Sequence, residues 1–363
     1  MNHLQTLLSD CAGGYRLTTD DAHFLFRLRG REIFLLTSEA DKRREEVCGD
    51  GITFVRNQNI NCSNICINSC GFCGFSRKPG DSDAYCLSVA DLAAQARTAD
   101  ARKVTEICSV SGLHPDYTLD SYLEIYRTIR RHAPGIHLHV SNPMEVAYAA
   151  ARSGCSTVEV LEEFKKAGMD TMCGTAAEIL SDPVRRIICP GKISTAEWVR
   201  IIREAHQAGI RTTATIMYGH CESDQDRAAH LGILREIQDD TGGFTEFVPL
   251  SFIHHRTPLY LEGKARAGAT GREDLLMTAV SRLFLDNFRN IQVSWVKNGT
   301  KMAQLALISG ANDLGGTLYE ERISREAGAT TGSFLDPAEM AHIAADIGRP
   351  LQERMTDYSL VRT

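Results

Sequence analysis

"GITFVRNQNINCSNICINSCGFCG" (residues 51–74) runs a β-rich segment straight into a loop crowded with cysteines. In its first half Asn57, Asn59 and Asn61 recur at period two, the spacing that puts side chains on one face of a strand. In its second half Cys66, Cys70 and Cys73 follow one another closely, with Gly71 and Gly74 to let the chain turn tightly. Two questions follow: what fold carries such a strand, and why there are three thiols at this spacing and not four.

Outward from this stretch the chain alternates. Apolar, β-rich runs recur at "VTEICSVSG" (104–112), "GIHLHVSN" (135–142), "DTMCGT" (170–175), "GIRTTATIMYG" (209–219), "FTEFVPLSFI" (244–253), "IQVSWV" (291–296) and "NDLGGTL" (312–318). Helix-patterned segments lie between them at 88–101, 119–133, 158–168, 194–208, 222–240, 272–287 and 299–309. Ser88 and Ser194 each precede an acid by three residues, the pattern of a capping box. With the first segment this makes eight βα units, so the expectation is a (β/α)8 TIM-type barrel over residues 51–318. Residues 1–50 read as helices preceding the barrel and 319–363 as a helical extension. A doubly wound sheet is disfavoured, because neither G-x-G-x-x-G nor G-x-x-x-x-G-K-[ST] occurs.

The strands also predict what fills the barrel. His137 and His139 oppose Ile136, Leu138 and Val140, and Gln292 and Ser294 oppose Ile291, Val293 and Trp295. With the apolar set against the helices, Asn57, Asn59, His139, Gln292 and Ser294 face inward and line a polar cavity for a hydrophilic ligand. A packed barrel interior of branched aliphatics would look different. Polar groups that only satisfy one another near the barrel ends are the competing expectation.

Composition excludes several functions. Forty basic against 46 acidic residues give a net charge of −6 with no long basic run, which argues against a nucleic-acid surface. "MNHLQTLLSD" has neither the basic start nor the apolar segment of an export signal, and no apolar run approaches a bilayer span. A cytoplasmic protein without membrane contact is therefore expected. There a disulfide framework is disfavoured, and the scattered Cys11, Cys48, Cys108, Cys155, Cys173, Cys189 and Cys221 read as small buried hydrophobes.

The triplet stands apart. It follows the first strand, at the C-terminal face where barrels of this kind carry their active sites. Three thiolates from one short loop can hold three corners of a 4Fe–4S cube, and a fourth iron without a cysteine is an open Lewis-acidic position. A four-cysteine zinc site using Cys62 or Cys86 is the alternative, but the second cysteine pair that such sites favour is missing. A non-catalytic iron–sulfur carrier is the other, though it would have no use for a polar barrel.

Cys-x-x-x-Cys-x-x-Cys is the signature of radical S-adenosylmethionine (SAM) enzymes, which this stretch resembles. "SGLHPD", "GTAAEILSDPVRRIICPGKISTAEW", "AHQAGIRTTATIMYGH", "TGGFTEFVPLSFIH" and "GANDLGGTLYEERIS" extend the likeness over roughly residues 50–330. They resemble the family that holds the FO synthase subunits of deazaflavin (coenzyme F-420) biosynthesis and two futalosine-route menaquinone enzymes. "GTAAEIL", "ICPGKI" and "IMYGH" most resemble the tyrosine-using FO synthase branch; the menaquinone enzymes are the alternative.

The resemblance implies a 4Fe–4S cluster on Cys66, Cys70 and Cys73, with SAM chelating the open iron. A 5'-deoxyadenosyl radical would take hydrogen from the amine of L-tyrosine, whose Cα–Cβ bond breaks. The 4-hydroxybenzyl group would join carbon 5 of 5-amino-6-(D-ribitylamino)uracil, leaving 2-iminoacetate. An electron donor such as ferredoxin or flavodoxin is implied, as is a separate FO synthase subunit 1, because a second cysteine triplet is missing. By the same resemblance the Phe72 backbone faces the adenine, and Ser111-Gly112 stands where Gly-Gly usually meets the SAM amine. Glu178 and Arg185 look like the acid and base that hold the polar ends of SAM; a surface pair of helical charges is the alternative. His139, Asn312 and Asp313 are the catalytic candidates, with hydrogen-bonded structural roles as their plain alternative.

Overall fold

A computed structural model describes residues 3–361. The first barrel strand is broken at Arg56 into β1 (Ile52–Val55) and β2 (Asn57–Asn59). Parallel pairing runs from β2 through β3 (Glu106–Ser109), β4 (His137–Val140), β5 (Thr171–Met172), β6 (Arg211–Tyr218) and β7 (Phe244–Ser251). Parallel bridges Phe247–Ile291 and Gln292–Asp313 carry the circuit to β8 (Asp313–Gly316), which pairs with β1. All eight expected strand segments are present in barrel order. The seventh is shorter than 291–296, because the helix Trp295–Asn298 begins inside it. There the Trp295 indole N–H donates to the Gly316 carbonyl at 2.9 Å, which seats the ring in the core.

Capping explains where the helices start. Ser88 and Asp91 make both halves of a capping box on the helix Val89–Ala101. At Thr195–Gln207 only the Glu197 N–H to Ser194 Oγ bond forms, at 3.2 Å. Besides helices of a single turn, two escaped the sequence pattern, Pro143–Ser153 and Asp182–Ile188. Both carry proline in the first turn, where the missing N–H costs nothing. The Asn142 side chain accepts from the Met144 and Glu145 N–H groups and sets the first of them.

Residues before the barrel form the helices His3–Ala12, Thr19–Phe26 and Glu32–Cys48. The extension contains the expected helix, Pro337–Asp346, and then a strand, β9 (Leu351–Arg354), parallel to β1 on the edge opposite β8. The segment after β9 closes the barrel floor. Arg354 is ion-paired to Asp313 and Glu246, the Tyr358 hydroxyl donates to Glu246, and the Thr356 hydroxyl donates to Glu106 at 2.8 Å.

Period two holds through the wall. Ile107, Leu138, Val140, Ala214, Ile216 and Phe247 are buried against the helices. Glu106, Cys108, His139, Thr213, Thr215 and Glu246 line the lumen. No helix among the described residues is long and apolar enough to cross a membrane.

Candidate active site

Two cavities lie one above the other in the barrel. The upper one is lined by the cysteine loop (Cys66, Phe72, Cys73) and by Ser111, Gly112, Glu145, Glu178 and Lys192. The lower one is the lumen, with Asn57, Asn59, His139, Gln292 and Ser294 among its walls, as the strand alternation predicts. Val110, Thr175, Leu250, Lys297 and Ile323 line both, so the two meet.

The loop is tied down from both ends. Cys66 N–H donates to Arg77 O at 3.0 Å, and Cys73 N–H to Cys70 O at 3.1 Å. The Arg77 guanidinium donates to the carbonyls of Gly74 and Ser76. Gly74 is required for close approach and not for a left-handed turn: a Cβ there would lie 2.6 Å from the Ala327 Cα.

The donor set suits a cluster. Leu113 N–H donates to Cys66 Sγ at 3.4 Å, and the N–H groups of Phe75 and Ser76 point at the Cys73 sulfur. Hydrogen bonds to sulfur are among the levers by which proteins stabilise iron–sulfur groups. Burial pushes the Cys70 thiol up to about 12 and raises Cys73 as well, so in the bare loop both are thiols that a metal must deprotonate. Among the described residues no three His, Cys, Asp or Glu side chains converge on one point as a single-ion cage requires. A four-iron cube spreads its ligands over separate corners and makes no such demand. The fourth ligands that a zinc site would need are engaged elsewhere: Cys62 Sγ lies 3.6 Å from Ser109 Oγ, and Cys86 Sγ 3.2 Å from the Tyr117 hydroxyl.

Ser111 has work that glycine could not do. Its hydroxyl accepts the Cys62 N–H at 2.8 Å, and its own N–H donates to the Glu145 carboxylate. Gly112 must be glycine, since a Cβ would stand 2.3 Å from the Ile65 carbonyl oxygen in the cysteine loop. Glu145 is buried, and desolvation pushes its carboxyl up to about 8 despite that backbone N–H.

The loop after β5 is strained. Ala176 and Glu178 have φ of 67° and 46°, the left-handed region that L residues avoid. Arg185 holds it there: its guanidinium donates to the carbonyls of Ala176, Ala177, Ile179 and Ile193. Arg185 is therefore spent on the loop and does not line the cavity. Glu178 does, and its partner is Lys192, which also stands 5.2 Å from the Phe72 ring centre. Burial alone would depress the Lys192 ammonium, but Glu178, Cys70 and Cys189 outweigh it and hold the pKa above the ordinary lysine value.

Asn312 and Asp313 are not brought to the site. Asn312 Oδ1 accepts from Arg282 and from Ile291 N–H, both at 2.8 Å, stitching the seventh strand to the eighth. Asp313 is buried at the floor between Arg354 and Thr53. His139 does face the lumen; its Nδ1 lies 2.8 Å from Thr171 Oγ1, and burial lowers the ring to about 4, so it is neutral.

The residues missed from the sequence are Glu145, Lys192 and Lys297. Lys192 sits in "ICPGKI", and the basic residue beside Pro-Gly was the available signal. Glu145 and Lys297 gave none, one lying in an unrecognised helix and the other past the point where the seventh strand's alternation ends.

Comparison with known proteins agrees with this geometry. The model of the Radical SAM superfamily matches residues 60–234, and that of the CofH/MqnC C-terminal region matches 241–360. A 5-amino-6-(D-ribitylamino)uracil–L-tyrosine 4-hydroxyphenyl transferase of Methanospirillum hungatei is 65% identical over 361 residues, covering 99% of each chain. One from Methanothermobacter thermautotrophicus is 48% identical over 94% of each. The FO synthase of Mycobacterium tuberculosis is 46% identical over 92% of this chain but only 39% of its own length. Among solved structures, methylornithine synthase (PylB) superposes with a TM-score of 0.76 at 19% identity, covering 97% of this chain and 98% of that one; this likeness speaks to the fold. The chain belongs to the radical SAM superfamily and, within it, to the family of 5-amino-6-(D-ribitylamino)uracil–L-tyrosine 4-hydroxyphenyl transferases.

Proposed function

We propose that the chain transfers the 4-hydroxybenzyl group of L-tyrosine to 5-amino-6-(D-ribitylamino)uracil in deazaflavin biosynthesis. The observation that carries this is the 65% identity to such a transferase along the whole chain. The menaquinone alternative has no comparable support, since the 63–66% identical relatives all carry the transferase name.

Cys66, Cys70 and Cys73 would hold a 4Fe–4S cluster and leave one iron for SAM. When bound, the two together supply the radical that takes hydrogen from the tyrosine amine. The chain's own residues do the rest. Phe72 offers a face for the adenine, with Lys192 nearby and Glu178 and Glu145 placed for the cationic and hydroxyl groups of SAM. Below, the polar lumen suits a polyhydroxylic ribityl chain, with Asn59, Gln292 and Ser294 offering side-chain hydrogen bonds. The closed floor keeps bulk water from that end. A separate subunit would complete the deazaflavin ring; the FO synthase that this chain matches over 39% of its length has room for such a unit in one polypeptide. An external one-electron donor such as ferredoxin or flavodoxin is also required.

The test is anaerobic incubation of cluster-loaded enzyme with SAM, tyrosine and the ribitylaminouracil, read by product mass. Benzylic label from tyrosine should appear on the uracil product, and 5'-deoxyadenosine should rise only when both substrates are present. Turnover of a futalosine nucleoside with none of tyrosine would overturn the assignment.

A further inference from the structure

Besides Glu178 and Lys192, the charged side chains lining the two cavities include Glu145, Glu106, Glu246, Arg354, Lys297 and Glu321. Arg354 is neutralised at the floor by Asp313 and Glu246, just as Lys192 is by Glu178 above. Lys297 differs. It lines both cavities, yet among the described residues no carboxylate lies within 4.0 Å of it and it makes no side-chain hydrogen bond. Burial lowers its ammonium pKa, and Glu321 is the strongest of the acids opposing that shift.

Glu321 is also unfinished. It is 6% exposed; its Oε1 accepts Ser324 N–H at 2.7 Å, and its Oε2 is buried with no partner. Thr175 Oγ1, on a residue that lines both cavities, is likewise buried and unpartnered. Buried polar atoms left in this state cost about 1–3 kcal/mol each, and native proteins seldom leave them without a partner. A half-buried cation and a buried carboxylate oxygen, both without a hydrogen-bond partner and both on residues that line the lower cavity, are the complement of a zwitterion.

We propose that Lys297 and Glu321 form an α-amino acid clamp where the two cavities meet, with Lys297 taking the substrate carboxylate and Glu321 Oε2 the amine. Thr175 Oγ1 supplies a further hydrogen bond to the same end. The clamp rests on the tyrosine-using reading and adds orientation to it. The zwitterionic end is held where the two cavities meet, and the phenol points into the lumen.

The test compares L-tyrosine with tyramine, which lacks the carboxylate, and 3-(4-hydroxyphenyl)propanoate, which lacks the amine. Binding to the cluster-loaded, SAM-bound enzyme is measured by anaerobic calorimetry. Parent enzyme should favour tyrosine over each analogue by at least about tenfold, the usual effect of losing a charged hydrogen bond. Lys297→Met should erase the tyrosine–tyramine difference and Lys297→Arg should restore much of it. Glu321→Gln should erase the tyrosine–propanoate difference. Unchanged preferences in both variants would overturn the clamp, as would Lys297→Met weakening SAM while leaving the preference for tyrosine intact. If Lys297→Met does not fold, Lys297→Gln and Glu321→Gln still decide, since two unmoved ratios refute the proposal. Parent enzyme that neither binds nor consumes tyrosine would bring down the functional reading itself, a result distinct from parent turnover with unmoved ratios.

Discussion

At the barrel floor the charged side chains find partners within the protein: Arg354 meets Asp313 and Glu246, and Glu106 accepts from Asn57 and Thr356. At the junction of the two cavities, on the same set of strands and loops, Lys297, Glu321 Oε2 and Thr175 Oγ1 stand without partners. Both ends are buried and polar, so burial and polarity do not separate structure from function here. Satisfaction does. At the floor the hydrogen bonds close within the protein and the charges are part of the wall; at the junction they stay open and are free to meet a ligand.

The cysteines put this contrast to its strongest test. Cys62 and Cys86 have protein partners, whereas Cys66 and Cys73 line the upper cavity and the Cys70 thiol is buried beside Lys192. Cys66→Ala, Cys70→Ala and Cys73→Ala should each abolish SAM cleavage and strip most of the bound iron. Cys62→Ala and Cys86→Ala should retain iron and sulfide at parent levels. Iron lost from Cys62→Ala as completely as from Cys70→Ala would mean that a closed cysteine partner is no guide to role.

The floor should fail differently, through stability. Arg354→Met leaves Asp313 and Glu246 buried without their cation, a change that costs about 3–5 kcal/mol when one partner of a buried pair is removed. Chemical denaturation should show that loss. A cost under about 1 kcal/mol would show that the floor charges are neutralised in some other way and that the pairing there is not structural.

The contrast also explains what the sequence disclosed. Strand order and the inward polar face were legible because period two is local: Asn57 and Asn59, or Ile107 against Glu106 and Cys108, announce their faces within a few residues. The cysteine loop was legible because its three sulfurs lie on one short segment. Satisfaction is not local. Asp313 reads as a candidate until Arg354, 41 residues on, folds under the barrel to meet it. Arg185 reads as a SAM ligand until the loop it braces is seen to use all its donors on carbonyls. Lys297 fell outside the strand pattern because the Trp295–Asn298 helix ends the alternation two residues earlier.

The smallest expected effect lies in the lumen, where two polar side chains differ in the same respect. Gln292 makes no side-chain hydrogen bond among the described residues and lines the cavity, while His139 Nδ1 is paired with Thr171. Gln292→Ala should therefore shift stability by no more than about 0.5 kcal/mol, as surface-like substitutions do. Its loss should appear in the KM for the ribitylaminouracil, raised on the order of tenfold if one buried hydrogen bond to substrate disappears, with the KM for tyrosine little changed. His139→Ala should reverse the balance in part: Thr171 keeps His137 as a partner, so the lost hydrogen bond costs about 0.5–1.5 kcal/mol, in addition to any effect on substrate. Steady-state kinetics and thermal melts on the two variants measure both quantities. A lowered melting temperature with unchanged KM for Gln292→Ala would place that residue with the walls, and with it the reading of open hydrogen bonds as ligand sites would lose its clearest case in the lumen.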